Sequence, residues 1–321
     1  TYWGDVAYIA ERVLTVDELK KFVDALPPVA PAAQNDDRWF GGNPAEGLRT
    51  LLGRRLIREG RNAEAIAYFP TTPPKSFNDP PEKTRPLADE ARDYVAAVGN
   101  AQPTSWWRGV TRAEALFKLS TMTRRRGMEV MGTEGPPDET VLDGAFSGGV
   151  GQSAAVDESD QDPQRLKANL ALLGPDEKAR VAASAAKPDI RFHYRVLAAD
   201  KAIAAADLLP QRSQAYAATL CWAARFAKDS DDLARVTAIY KRYVATGAYQ
   251  PWASAFGETC PEPDFAAARD FWLKRIVAWP ADALRAAGRH PGKALGIVAV
   301  AGLLLAGLAF AVRMRRRQPV A

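Results

Sequence analysis

The run 294–312 constrains this chain more than any other feature, because nothing in it is charged or strongly polar. Wound as a helix at about 1.5 Å per residue, it is long enough to cross a hydrocarbon core of about 30 Å. It is apolar on every side, whereas a helix packed in a globular core keeps a polar face. Lys293 closes one end, and Arg313, Arg315, Arg316 and Arg317 close the other. The expectation is a transmembrane helix over 294–312 that holds a folded body to a membrane. Basic flanks stay in the cytoplasm. The dense Arg313 to Arg317 cluster outweighs Arg285, Arg289 and Lys293, which favours a cytoplasmic tail and a body outside. In a bacterial cell that is a single-pass inner-membrane protein with a periplasmic body. Gly292 with Gly296, and Gly307 with Ala311, permit close helix packing, so a homodimer through the span is a further expectation.

The apolar tail followed by Arg is also similar to bacterial sorting signals that are cleaved after export. Arg289-His290-Pro291-Gly292-Lys293 stands where their recognition motif would be, so permanent anchoring is the preferred reading. The chain starts Thr1-Tyr2-Trp3, without a Met and without a charged region leading into an apolar one. It reads as the later portion of a longer protein or as a chain whose leader has been removed.

Before the tail, the chain reads as helix after helix. Thr15 followed by Glu18 forms a capping box for a helix over 14–26, with Leu19, Phe22, Val23 and Leu26 at helical spacing. A preceding helix over 5–13 would bury Ala7, Ile9, Ala10 and Val13. Pro44 to Phe69 reads as helix–turn–helix: Leu48, Leu51, Leu52 and Leu56 form one stripe. Gly60 sits where the helix end needs φ > 0, and Ala63, Ile66, Ala67 and Phe69 return. Further helices are expected over 87–98, 106–131, from 175, and over 192–209, 213–227, 231–246 and 265–279. No stretch alternates as a strand does. The fold class is therefore all-α. The expected division is an N-terminal helical part over 1–150, an acidic linker over 151–165 and a second helical part over 166–280. A juxtamembrane segment over 281–293, the span over 294–312 and a basic tail over 313–321 follow.

Leu52-Gly53, Gly60, Ala65 and Phe69 resemble the pattern of a tetratricopeptide repeat. Small residues let paired helices approach, and the aromatic fills the gap to the next pair. The repeat's later Ala and Pro are missing, and the pair over 215–248, with Trp222, Phe226, Ala234 and Tyr240, matches more loosely. The body also resembles a group of bacterial proteins that combine such repeats with a Gly-Met-Glu-x-Met-Gly-Thr-Glu stretch, here Gly127 to Glu134. They share an Arg-Phe-His-Tyr-Arg stretch too, here Arg191 to Arg195. The resemblance implies antiparallel helix pairs stacked as an irregular superhelix, and it carries no assigned activity.

Chemistry is sparse. The chain has two histidines and two cysteines, with no metal-ligand spacing among them, so no metal and no cofactor is expected. Cys221 and Cys260 either pair in an oxidising compartment or leave Cys221 as a buried small hydrophobe. A Cys221–His193 nucleophile pair has no supporting motif. Gly148-Gly149-Val150-Gly151 lacks the Lys-Ser/Thr of a phosphate loop, and Arg124-Arg125-Arg126 fans around a helix. The formal net charge of +5 is partly in the tail and gives no reason to expect nucleic acid as a partner. Trp39, Trp106, Trp107, Tyr243 and Trp252 are candidates for a concave protein-binding surface. The leading expectation is a non-catalytic, membrane-anchored helical-repeat scaffold that binds another protein in the bacterial cell envelope. The alternative is an all-α envelope enzyme acting on cell-wall polymer through Glu129 or Glu134.

Overall fold

Thr15 starts the first well-defined helix by satisfying its orphan N–H groups. Its hydroxyl accepts from Glu18 N at 3.2 Å, and the Glu18 carboxylate accepts from Thr15 N at 2.8 Å. This is the capping box expected from the sequence. The helix, α1 (Val16–Asp24), buries Val16, Leu19 and Val23. Phe22, expected on that face, is 52% exposed. The computed structural model describes residues 6–7, 9–27, 44–73, 85–103, 109–132, 174–188, 192–230 and 232–271. The chain divides into two units, Thr1–Phe265 and Ala266–Ala321. Of the second unit, residues 266–271 are described and are helical.

The first unit continues with α2 (Pro44–Arg58), α3 (Asn62–Ala65), α4 (Leu87–Asn100), α5 (Gly109–Met131), α6 (Pro175–Ser184), α7 (His193–Asp207), α8 (Gln214–Lys228) and α9 (Leu233–Thr246). No strand occurs among the described residues, so the chain is all-α there. None of the described helices is long and apolar enough to cross a membrane. The 294–312 segment, the 313–321 tail and the 151–165 linker lie outside the described residues.

The segment before α1 departs from the expected α-helix. Ile9–Val13 is a π-helical turn, closed by Leu14 N donating to Ile9 O at 3.0 Å, five residues back. The wider winding turns through a smaller angle per residue. Three consecutive residues, Ala10, Glu11 and Arg12, are thereby buried together. Ala7 and Ala10 are buried as expected, but Ile9 is 50% exposed and Val13 is only partly covered.

In α2 the Leu48, Leu51, Leu52, Leu56 stripe is buried. Gly60 has φ +80°, Arg61 N donates to Leu56 O at 2.8 Å and Gly60 N donates to Ile57 O at 3.1 Å. That paired closure is why the turn needs glycine. The returning arm is one α turn, α3, followed by the 3-10 turn Ile66–Tyr68 and ended by Pro70. It buries Ala65 and Phe69, while Ala63 and Ala67 face outward. A methyl on Gly53 would lie 3.1 Å from the Phe69 ring, which accounts for the Leu-Gly…Phe spacing.

The most extensive helix contacts join α5 to α7 and α7 to α8, and the first of these crosses between the two parts expected on either side of the linker. Small side chains make this approach close: Ser120, Thr123 and Gly127 on α5, and Ala198, Ala199, Ala202, Ala205 and Ala206 on α7, are all buried. At Gly127 a Cβ would come 2.5 Å from Tyr194 Cβ. The α8 helix is buried on nearly all sides between α7 and α9. Its N-cap is Ser213, and Asp232 caps α9. Arg242 of α9 pairs with Asp207 of α7 at 2.6 Å, and Arg235 pairs with Asp200. Beyond α9 the chain folds back over α8. There Cys221 and Cys260 form a disulfide with Cα atoms 5.6 Å apart, and Trp222 Nε1 donates to Pro261 O at 3.0 Å.

Candidate functional site: a buried arginine cluster beside a basic cleft

Side chains that should be expensive to bury meet where the π turn, α2 and the ends of α5 and α7 converge. Glu11 is fully buried, and it takes an ion pair from Arg58, whose side chain is 6% exposed. Arg58 also donates to Met131 O, at the C-terminus of α5, where helix carbonyls lack partners. Arg12 and Arg55 are buried beside them. Arg55 holds the turn into α1, its Nη1 donating to Ala10 O at 2.6 Å and Leu14 O at 2.8 Å. Its Nη2 lies 3.6 Å from the Glu59 carboxylate, beyond hydrogen-bond range, and its buried Nε has no hydrogen-bond partner. Buried Nη1 of Arg12 has none either. Burial pulls the Arg55 pKa down, while Glu11 opposes that and Arg58 adds to it. Arg58 thus pairs with the buried Glu11, and Arg55 lies near the partly exposed Glu59.

Arg55 and Arg58 of this cluster also line a cleft of about 650 Å³ between α1, α2 and α6. That is within the range of ligand sites, about 300–1,000 Å³. The cleft is lined by Arg55, Arg58, Glu59, Arg61, Arg180 and Lys187, among others. The rim cations are mostly engaged. Arg61 pairs with Asp17 at 2.6 Å and Glu64 at 2.7 Å, and Arg180 pairs with Glu18 at 2.5 Å. The Arg180 and Thr15 hydrogen bonds lower the Glu18 pKa to about 2. Lys187 is exposed.

The two sequence stretches singled out above meet here. Gly127 receives Tyr194, Met131 O receives Arg58, and Gly132, at φ +73°, follows α5. His193 is 1% exposed, and its pKa falls to about 3 because burial, Arg58 and Lys201 all disfavour its charged form. Phe192 takes the left-handed conformation at φ +58°, with the Arg195 guanidinium 3.8 Å from its ring centroid. Arg195 also donates to Asp229 O at 2.7 Å.

The depressed His193 pKa has a consequence for stability. The unfolded chain takes up the His193 proton near its ordinary pKa of about 6.5, whereas the folded chain resists it down to about 3. The contribution is complete above about pH 6.5 and declines as pH falls toward 3, by about 1.4 kcal/mol per pH unit. In urea unfolding at pH 6.5 and 5.5, His193→Gln is expected to reduce the pH-dependent loss by about 1 kcal/mol. Equal losses in the two proteins would refute it.

The expected site residues fall in different places. Trp39, Trp106 and Trp107 lie outside the described residues, as do Glu134 and Gly148–Gly151. Tyr243 is 5% exposed and its ring stacks on Phe256 at 5.0 Å, so it packs the α9 side of the core instead of lining an open surface. Trp252 is half-buried in the 3-10 turn Pro251–Ala255. Cys221 is disulfide-bonded, so it offers no thiolate to His193. Arg124 pairs with Asp229 at 2.7 Å, and Arg126 pairs with Glu90 at 3.2 Å. Glu129 lies 3.5 Å from Arg126. No group of metal-binding side chains occurs among the described residues. Arg55 and Glu11 were missed from the sequence. The signal for Arg55 was available, since it follows Leu51 by four residues and Leu52 by three, inside the apolar stripe.

The described part of the chain is thus an all-α unit with an arginine-lined cleft. No family model, no curated protein and no solved structure matches it.

Proposed function

We propose that this protein is a non-catalytic binding module, anchored to the bacterial inner membrane by the 294–312 segment, whose arginine-lined cleft takes a segment of another protein. The cleft lined by Arg55, Arg58, Arg61, Arg180 and Lys187 carries this reading. Basic side chains around a concave site favour the approach of an anionic group on a partner. The tetratricopeptide-like Gly53–Phe69 contact agrees with a helix-pair scaffold. The Cys221–Cys260 bond agrees with a body outside the cytoplasm, where thiols oxidise.

A photo-crosslinking amino acid placed at Ala183, an exposed residue of the cleft wall, tests the reading in intact host cells. The expected result is one discrete protein adduct that is absent when the same group is placed at Val244, which is 63% exposed on α9. No adduct from Ala183, or the same adduct from both positions, would overturn it.

A further inference from the structure

The outer side of α9 is apolar where a surface helix ordinarily carries charge. Its exposed residues form two adjacent rows. Leu233, Thr237, Tyr240 and Val244 make a ridge, with Leu233 67%, Tyr240 44% and Val244 63% exposed, so most of the apolar surface of α9 is left in water. Ala234, Ala238, Lys241 and Ala245, each one position further on, make a shallower row beside it. Both rows advance by four, three and four residues, which keeps each on one line along a helix. Lys241 is the only charged residue of the two rows. The neighbouring cations are engaged within the chain, Arg242 with Asp207 at 2.6 Å and Arg235 with Asp200. Tyr240 is held edge-on against Phe256, with ring centroids 5.3 Å apart.

We infer that this face of α9 pairs with the same face of a second copy of the chain, antiparallel and about a two-fold axis. The intervals read the same in both directions, so an antiparallel copy sets each ridge on the other's shallow row. Leu233 then meets the second copy's Ala245, Tyr240 meets its Ala238, and Val244 meets its Ala234. Lys241 meets Thr237, whose hydroxyl donates to Leu233 O at 2.9 Å and can still accept from an ammonium. Large residues over alanine on both sides give the ridge-into-groove fit of packed helices. The match of one surface with itself is what a two-fold dimer requires. A lipid surface needs no such intervals, and anionic headgroups recruit clusters of basic residues, whereas these rows offer Lys241 alone. A face about 20 Å long provides less than the about 800 Å² per partner of a stable interface, so the pairing is weak and rises with concentration. Chains held in one membrane, as proposed above, meet at a raised effective concentration, and a pair presents two clefts in one assembly.

The test is oxidative crosslinking of the purified full chain in a neutral detergent over a series of protein concentrations. The chain's two cysteines are joined to each other, so an introduced cysteine is its one free thiol. A Leu233→Cys chain carrying a larger tag is mixed with an Ala245→Cys chain. The mixed dimer is expected to form at least about fivefold faster than either like dimer, because like positions stand about 18 Å apart along the axis in this register. Ala238→Glu is a surface substitution that spares the fold, and by placing a charge at the centre of the pair it is expected to cut the mixed dimer about tenfold. Equal rates for mixed and like pairs, as a dimer joined through the span alone would give, would overturn the inference. So would absence of any dimer, or a mixed dimer untouched by Ala238→Glu. Shielding of Leu233→Cys from a water-soluble thiol reagent by added lipid vesicles, but not by more of the chain, would assign the face to lipid and overturn it as well. The cleft takes no part in this test, so a failed Ala183 crosslink and a failed α9 pairing are separate outcomes.

Discussion

Glu11→Gln is expected to destabilise the fold by about 3–5 kcal/mol, the range for removing one partner of a buried ion pair. The glutamine fills nearly the same volume, so the loss isolates charge from packing. Arg58 keeps its bond to Met131 O, but Arg55 would lose the nearby charge of a fully buried carboxylate. Chemical unfolding of the purified chain at pH 7.5 measures the loss. A companion variant sharpens the interpretation. Replacing Glu11 and Arg58 together with Met removes both charges of the pair and is expected to recover more than half of the stability lost by Glu11→Gln. Paired buried charges can often be replaced by apolar groups with little cost, whereas a lone buried charge cannot be left uncompensated. A Glu11→Gln variant as stable as the parent would mean that water or another carboxylate reaches the arginines.

The second large effect concerns Cys221 and Cys260, which are 39 positions apart in sequence. In the chain-entropy account, closing a loop of this size is worth about 4 kcal/mol. The double substitution to Ala is expected to lower the melting temperature by about 10 °C, measured by calorimetry without reductant. Dithiothreitol should lower the parent to a similar value and leave the double variant unchanged. The bond ties α8 to the chain that carries Phe256, which stacks on Tyr243, and Pro261, whose carbonyl receives Trp222. Loss of the covalent tie is therefore expected to expose the 248–264 amides to hydrogen exchange before those of α8. A melting temperature within about 2 °C of the parent would show that these contacts hold the segment without the bond.

Much of the helical framework was legible because its signals are local. Thr15 and Glu18 cap α1 within one turn, Gly60 closes α2 with its own neighbours, and the Leu48 to Leu56 stripe needs only helical spacing. The charged cluster is built from longer-range contacts. Arg55 meets Ala10 across 45 positions, and Arg58 meets Met131 across 73. Periodicity also failed where winding changed. The π turn buries Arg12 beside Glu11 and leaves Ile9 outside, an outcome no 3.6-residue repeat anticipates. The tetratricopeptide-like spacing located a real contact between Gly53 and Phe69. It did not indicate that the second arm would shorten to α3 and a 3-10 turn, because Pro70 ends it before a full helix can form.

The π turn also sets which residues ahead of α1 can be buried together. Such a turn is an α-helical turn with one residue added. Deleting a single position between Ile9 and Val13 would restore ordinary winding and rotate everything upstream by about 100° relative to α1. Ala7 and Ala10 could then no longer share a buried side with Leu19 and Val23. One deleted residue would therefore undo the joint burial of Glu11 and Arg12, while Arg55 and Arg58 would keep their places on α2.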